Sequence, residues 1–157
     1  MQKTNAMRIL DQKKVLYSVT EYETCDGKID GISVAIKVNK DPNKVFKTLV
    51  LINGNDLYVF VIPVNKELDL KAAAKAACIK SIEMLPQKQL LPLTGYIHGG
   101  CTAIGMKKRY PVFIDESVLD VDYITVSGGR VGVQITLSAN DYIFATQAKI
   151  ARFTKEN

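Results

Sequence analysis

The apolar residues of this chain follow two spacings, separated by turn and capping signals. After Thr4 they recur at i, i+3 and i+4, which predicts a capped amphipathic helix. Asp30 and Asp69 are the candidate caps of two further helices. The pattern predicts these later helices over 31–38, 70–77 and 86–93 and from Ser138 or Asn140 to Ile150, and strands over 15–22, 45–52, 57–63, 111–114, 123–126 and 131–137. For 86–93 a proline-bounded loop is the alternative.

The strands 45–52 and 57–63 form the predicted centre of the fold. They flank the loop NGND at 53–56, which has the length and composition of a hairpin turn, and both are apolar on both faces. Such strands are covered on each side by helices or a folded-over sheet. A second hairpin is predicted around SGGR at 127–130. Because strands and helices do not alternate regularly, we expect an α/β fold with a mixed, partly closed β-sheet or barrel and flanking helices, in one domain over residues 1–157.

Length and composition are those of an ordinary globular domain. The chain has 157 residues, 47% hydrophobic and 24% charged, enough for one sizeable core. The longest uncharged apolar run, 57–64, is far too short to span a membrane, and the N-terminus lacks the apolar core and cleavage site of a secretory signal. Three cysteines without zinc-type pairing suit a reduced cytoplasmic setting.

The charge balance is mildly basic. Lys and Arg number 21 against 16 Asp and Glu, a net charge of +5. This excess favours a polyanionic partner, because phosphate contacts dominate nucleic-acid affinity, although many basic proteins bind no nucleic acid. The cluster Lys107, Lys108 and Arg109 either attracts phosphates or forms a solvated basic turn.

The stretch 95–115, GYIHGGCTAIGMKKRYPVFID, concentrates the residues with chemical potential. It holds four glycines, the only histidine and a cysteine. The pair Gly99 and Gly100 permits positive φ and close approach of the backbone, either to ligand oxygens or to another strand. His98 and Cys101 are spaced as a possible nucleophile and base, yet a cysteine beside glycines is usually only a small residue that fits. One histidine and scattered cysteines do not make a metal site.

Lys47 is the other notable residue, because it interrupts an apolar strand. It shares a strand face with Val45, Leu49 and Leu51, where an ammonium group is costly to bury. Its side chain either reaches the rim of the sheet or projects into a cleft and binds an anionic ligand. From the strand position alone the two alternatives are equal.

Five ordered segments make the sequence similar to a known family. They are KTNAMRILDQKKVLYSVTEYE, VFKTLV, ELDLKAAAKA, GGCTAIGMKKRYPVFID and VSGGRVGVQI. Together they resemble the YbaK/EbsC family of aminoacyl-tRNA deacylases, relatives of the editing domain inserted in bacterial prolyl-tRNA synthetases. The resemblance implies a compact α/β enzyme that hydrolyses cysteinyl-tRNA(Pro) in trans, often cysteinyl-tRNA(Cys) as well, without cofactor or metal. It implies tRNA as partner, with prolyl-tRNA synthetase as a second candidate and no membrane.

The resemblance also implies roles for individual residues. Those in catalytic positions are Lys47, Gly100 and Asp141; those in substrate-binding positions are Tyr22, Gly99, Cys101 and Thr102; and those expected to attract tRNA are Lys107, Lys108 and Arg109. From the residues alone, Tyr22 is a rim tyrosine with its hydroxyl in water. Asp141 is a helix-start carboxylate that stabilises the macrodipole.

Two departures from the family pattern concern amino-acid selectivity. Thr102 and Ala103 stand where many members have Ser-Pro, and Asp30 and Gly31 stand where some place a phenylalanine against the substrate. Deacylation of another mischarged tRNA, such as alanyl-tRNA(Pro), is therefore an alternative. A non-catalytic module that binds acceptor ends is a second alternative, from a different functional class.

Overall fold

The computed structural model describes residues 1–156, in which helices and strands are mixed along the chain. The helices are α1 (Asn5–Gln12), α2 (Gly31–Lys37), α3 (Leu70–Ala76), α4 (Leu90–Thr94) and α5 (Ala139–Thr146). The strands are β1 (Tyr17–Glu21), β2 (Phe46–Asn53), β3 (Asp56–Pro63), β4 (Glu83–Met84), β5 (Val112–Asp115), β6 (Tyr123–Arg130), β7 (Val133–Ser138) and β8 (Lys149–Ala151). Short 3-10 segments lie at Pro42–Lys44, Gln87–Gln89 and Glu116–Asp120. Within this part of the chain no helix is long and apolar enough to cross a membrane.

Side-chain caps begin four of the helices. Thr4 accepts a hydrogen bond from the Met7 amide, and Asp30 and Asp69 cap α2 and α3 in the same way. Ser138 caps α5. Each cap satisfies a backbone donor that the first helical turn leaves unpaired. The predicted starts of these helices are confirmed.

The strands form two sheets that meet at one bridge. The order β1-β7-β6 is antiparallel throughout, whereas β4-β2-β3-β5-β8 pairs antiparallel across β4, β2 and β3 and parallel across β3, β5 and β8. A parallel bridge from Val45 to Thr125 joins β2 to β6. The sheets do not close into a full barrel. The predicted mixed, partly closed α/β architecture is confirmed.

The main core lies between the two sheets. Its fully buried members come from both sheets and from α1 and α5: Met7, Leu10, Val59, Val61, Ile114, Ile124, Val126, Ile135, Leu137 and Tyr142. A second cluster covers the opposite face of β2 and β3, where Phe60 stacks on Phe113 at 5.0 Å and α3 contributes Ala73 and Ala74. Both faces of the central hairpin are covered, as the apolar pattern predicts.

The second hairpin is built differently from the prediction. The segment 127–130, expected to be its turn, lies within β6, and the chain turns at Val131 and Gly132 instead. The register shifts between Ser127 and Arg130, and Gly129 has φ +101°. The glycines therefore form a bulge in the strand rather than the turn.

The last predicted helix is too long. It ends at Thr146, because Gln147 adopts the left-handed conformation with φ +55°, and β8 follows as a parallel neighbour of β5. The two-residue strand β4 was also not predicted, and 86–93 contains a 3-10 turn followed by α4. Strands this short carry no alternation that a sequence pattern could reveal.

Candidate active site

Lys47 lies where β2 and β6 run side by side. Val45, the residue before β2, forms a parallel bridge with Thr125, and this bridge brings the start of β2 beside β6. On the other side of β2, Lys47 pairs with Ile62 of β3. Paired residues share a face of the sheet, and this face lies away from the main core.

A row of polar side chains crosses the smaller sheet. Ser127 pairs with Gln134 of β7, and Gln134 pairs with Thr20 of β1. Gln134 is buried, and the adjacent Ile135 points into the core from the opposite face.

The Lys47 ammonium has no protein partner. The side chain is half-buried, and no carboxylate of residues 1–156 lies within ion-pair distance of it. An unpaired, half-buried cation is suited to bind an anionic or hydroxyl group of a ligand.

The glycine pair packs against the turn that joins β6 to β7. Gly99 has φ +87°, and the Gly100 amide donates to the Ile97 carbonyl at 3.0 Å. A Cβ built on Gly100 would lie 2.9 Å from the Val131 nitrogen and 3.0 Å from the Arg130 carbonyl carbon. Only glycine allows this approach of one backbone to another. The pair therefore serves close packing against a strand end, one of its two predicted uses.

The same strand end contacts the segment that precedes α2. A Cβ on Gly99 would lie 2.8 Å from Ile29 Cδ1 and 3.4 Å from Val131. The Tyr22 amide donates to the Gly132 carbonyl at 2.9 Å. Tyr22 and the glycine pair therefore share one neighbour, the β6–β7 turn.

Tyr22 is buried rather than exposed at the rim. It packs between Val34 and Val38 of α2 and is only 9% exposed. Its hydroxyl is buried without a hydrogen-bond partner in the described part of the chain, and the Lys37 ammonium lies 5.9 Å from the ring centroid. The expectation of a hydroxyl in water is wrong, because α2 folds over the ring.

Lys37 holds the segment between β1 and α2 in shape. Its ammonium donates to the Glu23 carbonyl at 2.9 Å, the Asp26 carboxylate at 2.7 Å and the Lys28 carbonyl at 2.9 Å. The hydrogen bond from Lys37 lowers the pKa of Asp26 and raises the pKa of Lys37 itself. This clamp fixes the position from which Ile29 reaches the glycine pair.

The backbone after the glycine pair offers hydrogen-bond donors. Within residues 1–156, neither the Cys101 nor the Thr102 amide has a protein acceptor, whereas the Gly100 amide is used by Ile97. The Thr102 side chain is fully buried and its hydroxyl accepts from the Ile104 amide at 3.3 Å. Cys101 is only partly buried, so its free amide is open to a ligand oxygen, whereas Thr102 is completely buried.

Cys101 is poorly placed to act as a nucleophile. Burial raises the pKa of its thiol to about 12, which keeps it protonated at neutral pH. His98 is exposed to solvent, and no hydrogen bond joins the two side chains in the described residues. Cys101 instead packs near Val50 and Leu85.

Asp141 lies away from the glycine pair. It is the third residue of α5, is half-buried, and its amide donates to Ser138. This position follows the C-terminal end of β7, whereas Tyr22 contacts Gly132 at the N-terminal end. The six-residue strand between them spans roughly 20 Å. No ion pair joins Asp141 to Lys47 in residues 1–156.

The basic cluster follows the glycine stretch and is exposed. Lys107 donates to the Pro92 carbonyl of α4 at 3.1 Å. Lys108 and Arg109 face solvent without ion pairs in the part of the chain described. Across these same residues no three His, Cys, Asp or Glu side chains gather closely enough to hold a metal ion.

Three residues near the site were not predicted from sequence. Gln134 could have been found, because Gln134 and Thr136 alternate with apolar residues along β7 and so mark a polar face. The contact of Ile29 with the glycine pair joins residues 70 positions apart, and the Lys37 clamp depends on the path of an irregular segment. No local pattern reveals either one.

Known proteins are similar to this chain in sequence and in fold. The model of the aminoacyl-tRNA editing domain matches residues 30–145. A protein of Enterococcus faecalis (strain ATCC 700802 / V583), assigned the name Cys-tRNA(Pro)/Cys-tRNA(Cys) deacylase EbsC, is 42% identical over 154 residues, covering 98% of this chain and 94% of that protein.

Solved structures have the same architecture. One, assigned as a trans-editing enzyme for prolyl-tRNA synthetase, matches with a TM-score of 0.85 at 19% identity over 99% of this chain and 100% of that one. Another, of a hypothetical protein, matches with a TM-score of 0.87 at 19% identity over 97% and 100%. The family match covers well over half of the sequence. The chain therefore belongs to the aminoacyl-tRNA editing domain family.

Proposed function

We propose that the protein deacylates mischarged tRNA in trans, with cysteinyl-tRNA(Pro) as substrate and cysteinyl-tRNA(Cys) as a second one. The observation that carries this is the unpaired, half-buried Lys47 ammonium on β2, a strand whose start is bridged to β6, together with a glycine turn that packs on the end of β6 and has a free Cys101 amide within residues 1–156. The family and the name of the Enterococcus faecalis relative support it. Three free cysteines fit a reduced cytoplasmic location.

The amide of Cys101 stabilises the charge that develops during ester cleavage. Attack on the ester carbonyl places negative charge on its oxygen, and a fixed backbone N–H group lowers the energy of that state. Gly100 brings this donor against the β6–β7 turn, which fixes its position. The donor acts without reorganising during the reaction.

Lys47 positions the nucleotide end of the substrate. Its ammonium binds the terminal phosphate or a ribose hydroxyl and holds the ester in a reactive pose. Ser127 and Gln134 continue the polar face on which the terminal ribose lies. Tyr22 adjoins the β6–β7 turn and belongs to the set that the family resemblance assigns to the reaction. Asp141, which the resemblance also implies, follows the opposite end of β7 and lies outside the site.

The attacking group comes from the substrate, because the one cysteine in the glycine turn, Cys101, has a thiol that burial keeps protonated. The cysteine sulfur of the aminoacyl group bonds to the ester carbonyl carbon, the bond from that carbon to the ribose oxygen breaks, and the thiol proton passes to the ribose oxygen. A substrate without a thiol needs water as attacking group, assisted by the neighbouring ribose hydroxyl. The protonated thiol of Cys101 takes no part.

Lys107, Lys108 and Arg109 attract the acceptor stem through its phosphates. Their exposure leaves them free to displace counterions from the nucleic acid. Reversing these charges weakens tRNA binding and flattens its dependence on salt.

The direct test is a panel of charged tRNAs. Cysteinyl-tRNA(Pro), cysteinyl-tRNA(Cys) and alanyl-tRNA(Pro) are incubated with the protein, with and without prolyl-tRNA synthetase, and release of the amino acid is measured. We expect release from the cysteinyl substrates ahead of alanyl-tRNA(Pro), which cannot cyclise through a thiol. Faster release of alanine would assign the alternative substrate. Binding of all three without release would leave only the acceptor-end binding module.

A further inference from the structure

An apolar groove borders the glycine turn. It is lined by Gln87, Lys88, Leu91, Ile97 and His98. Leu91 and Ile97 are each 51% exposed, and together they line one groove instead of lying singly on the surface. Ile97 belongs to the same turn as the glycine pair, because its carbonyl accepts the Gly100 amide.

The groove lies in the most one-sided charge distribution of the chain. Residues 84–114 contain no Asp or Glu, but they contain Lys88 and the basic cluster of Lys107, Lys108 and Arg109. None of these four cations forms an ion pair with another described residue. The bond from Lys107 to Pro92 places its ammonium on α4, the helix that contributes Leu91.

Exposed apolar surface beside unpaired cations matches the chemistry of single-stranded nucleic acid. Unpaired bases offer flat apolar faces, and their phosphates lie at short intervals along the strand. A double-stranded segment would use the cations but leave the apolar floor exposed, since its bases are stacked on one another. An apolar protein partner would gain nothing from four uncompensated cations. The charge therefore favours an unpaired strand as the occupant.

We infer that this groove receives the unpaired 3′ nucleotides of tRNA. The bases lie over Leu91 and Ile97, and Lys88 and Lys107 contact the phosphates. The terminal nucleotide then enters the site beside the glycine turn. This inference rests on the proposed function, because it is the path by which an acceptor end reaches that site.

The test uses RNA that carries no amino acid, so that the result does not depend on deacylation. Two fluorescent RNA hairpins share one stem; the first ends in four unpaired 3′ nucleotides and the second is blunt. Their affinities are measured by anisotropy for the wild type, for Leu91→Ala/Ile97→Ala and for Lys88→Ala. The matched control is Leu119→Ala, which removes an equally large side chain, 69% exposed, outside the groove.

We expect the double substitution to weaken binding of the overhang hairpin about tenfold, because two apolar side chains that cover the bases are lost, and to leave the blunt hairpin unaffected. Lys88→Ala should weaken the overhang hairpin more than the blunt one and, for the overhang hairpin, lower the slope of log affinity against log salt by about one. Leu119→Ala should bind both as the wild type does. All substituted side chains are exposed, so the variants should unfold at the wild-type temperature.

Three results would overturn the groove assignment. The first is that the wild type binds neither hairpin, and the second is that the double variant loses equal affinity for the overhang and blunt hairpins. The third is that the double variant binds the overhang hairpin as tightly as Leu119→Ala does. Deacylation by the wild type is measured separately. If the wild type releases amino acid and the double variant binds the overhang hairpin with wild-type affinity, the groove assignment is wrong and the proposed function stands. If the double variant loses affinity only for the overhang hairpin and the wild type releases amino acid from no aminoacylated tRNA, the groove assignment stands and the deacylase function is wrong.

Discussion

Gln134 of β7 pairs with Ser127 of β6, on the face of the smaller sheet that is turned away from the main core. This face is polar although Gln134 is only 6% exposed. A buried amide without an evident structural duty indicates a contact to something outside the protein.

Gln134→Leu should therefore impair the reaction more than the fold. The substitution keeps the side-chain size and removes one hydrogen-bonding group, which should slow deacylation roughly threefold to tenfold, the equivalent of one neutral hydrogen bond. The measurement is kcat and KM together with the unfolding temperature. Thr136→Val is the contrasting control, because it leaves the Thr125 hydroxyl without its 2.7 Å partner. It should lower stability and leave the rate unchanged; the same pattern in Gln134→Leu would assign that residue to the fold.

Gly100→Ala should damage both stability and activity. Its Cβ would meet backbone atoms of Val131 and Arg130 at 2.9–3.0 Å, so the loop must move, at a cost of about 1–3 kcal/mol in the free energy of unfolding. The movement displaces the amides that follow. Gly54→Ala is the control: with φ +60° it has open space around its Cβ and carries backbone strain alone. Denaturant unfolding and deacylation rates of both variants decide the matter, and equal behaviour would show that the close approach at Gly100 is unimportant.

The Cys101 thiol should react with neither an alkylating reagent nor the substrate. Its raised thiol pKa, about 12, leaves almost no thiolate at pH 8, whereas Cys25 and Cys78 are exposed. Brief alkylation of the folded protein should add two groups, at Cys25 and Cys78, as read by peptide mass spectrometry, and unfolding should allow the third. Cys101→Ala should deacylate at the wild-type rate. Rapid labelling of Cys101, or loss of activity in the variant, would restore it as a nucleophile.

The Lys37 clamp should be visible in the titration of Asp26. Its carboxyl pKa lies below the ordinary 3.8 because Lys37 donates to the charged form. A lowered folded-state pKa means that the contact stabilises the fold above pH 3.8 and that this is lost as the pH falls through the lowered value. At the alkaline end the raised pKa of Lys37 keeps the contact intact until the pH passes 10.5.

NMR titration of the Asp26 carboxyl carbon measures this directly. We expect a midpoint below 3.8 in the wild type and a return toward 3.8 in Lys37→Met. Lys40→Met, which removes an exposed lysine near the end of α2, should leave the midpoint unchanged. If the Asp26 midpoint in Lys37→Met equals that of the wild type, the contact between Lys37 and Asp26 is absent in solution.

Local signals explain which parts of the fold could be predicted. The caps Thr4, Asp30 and Asp69 and the turn between β2 and β3 each depend on a few neighbouring residues, and all were predicted. The face shared by Lys47 and Leu49 also follows from strand alternation alone. These features need no knowledge of the rest of the chain.

The errors arise where distant segments meet. The sequence predicts an exposed Tyr22, but α2 folds over its ring. It also predicts a turn at the glycines of 127–130, but they lie within β6, and the glycine pair packs against the end of that strand. Asp141 follows the far end of β7, a separation that depends on which strand end each residue adjoins. The candidate residues could be named from the sequence, but their arrangement could not.

The most direct measurement is the single-turnover rate of cysteinyl-tRNA(Pro) deacylation by Lys47→Ala. If Lys47 holds the acceptor end, the rate should fall at least about tenfold, which corresponds to about 1.4 kcal/mol of transition-state stabilisation, while the unfolding temperature stays that of the wild type. Lys44→Ala, an exposed lysine just before β2, is the matched control and should react as the wild type does. A folded Lys47→Ala protein that releases cysteine at the wild-type rate would contradict the account.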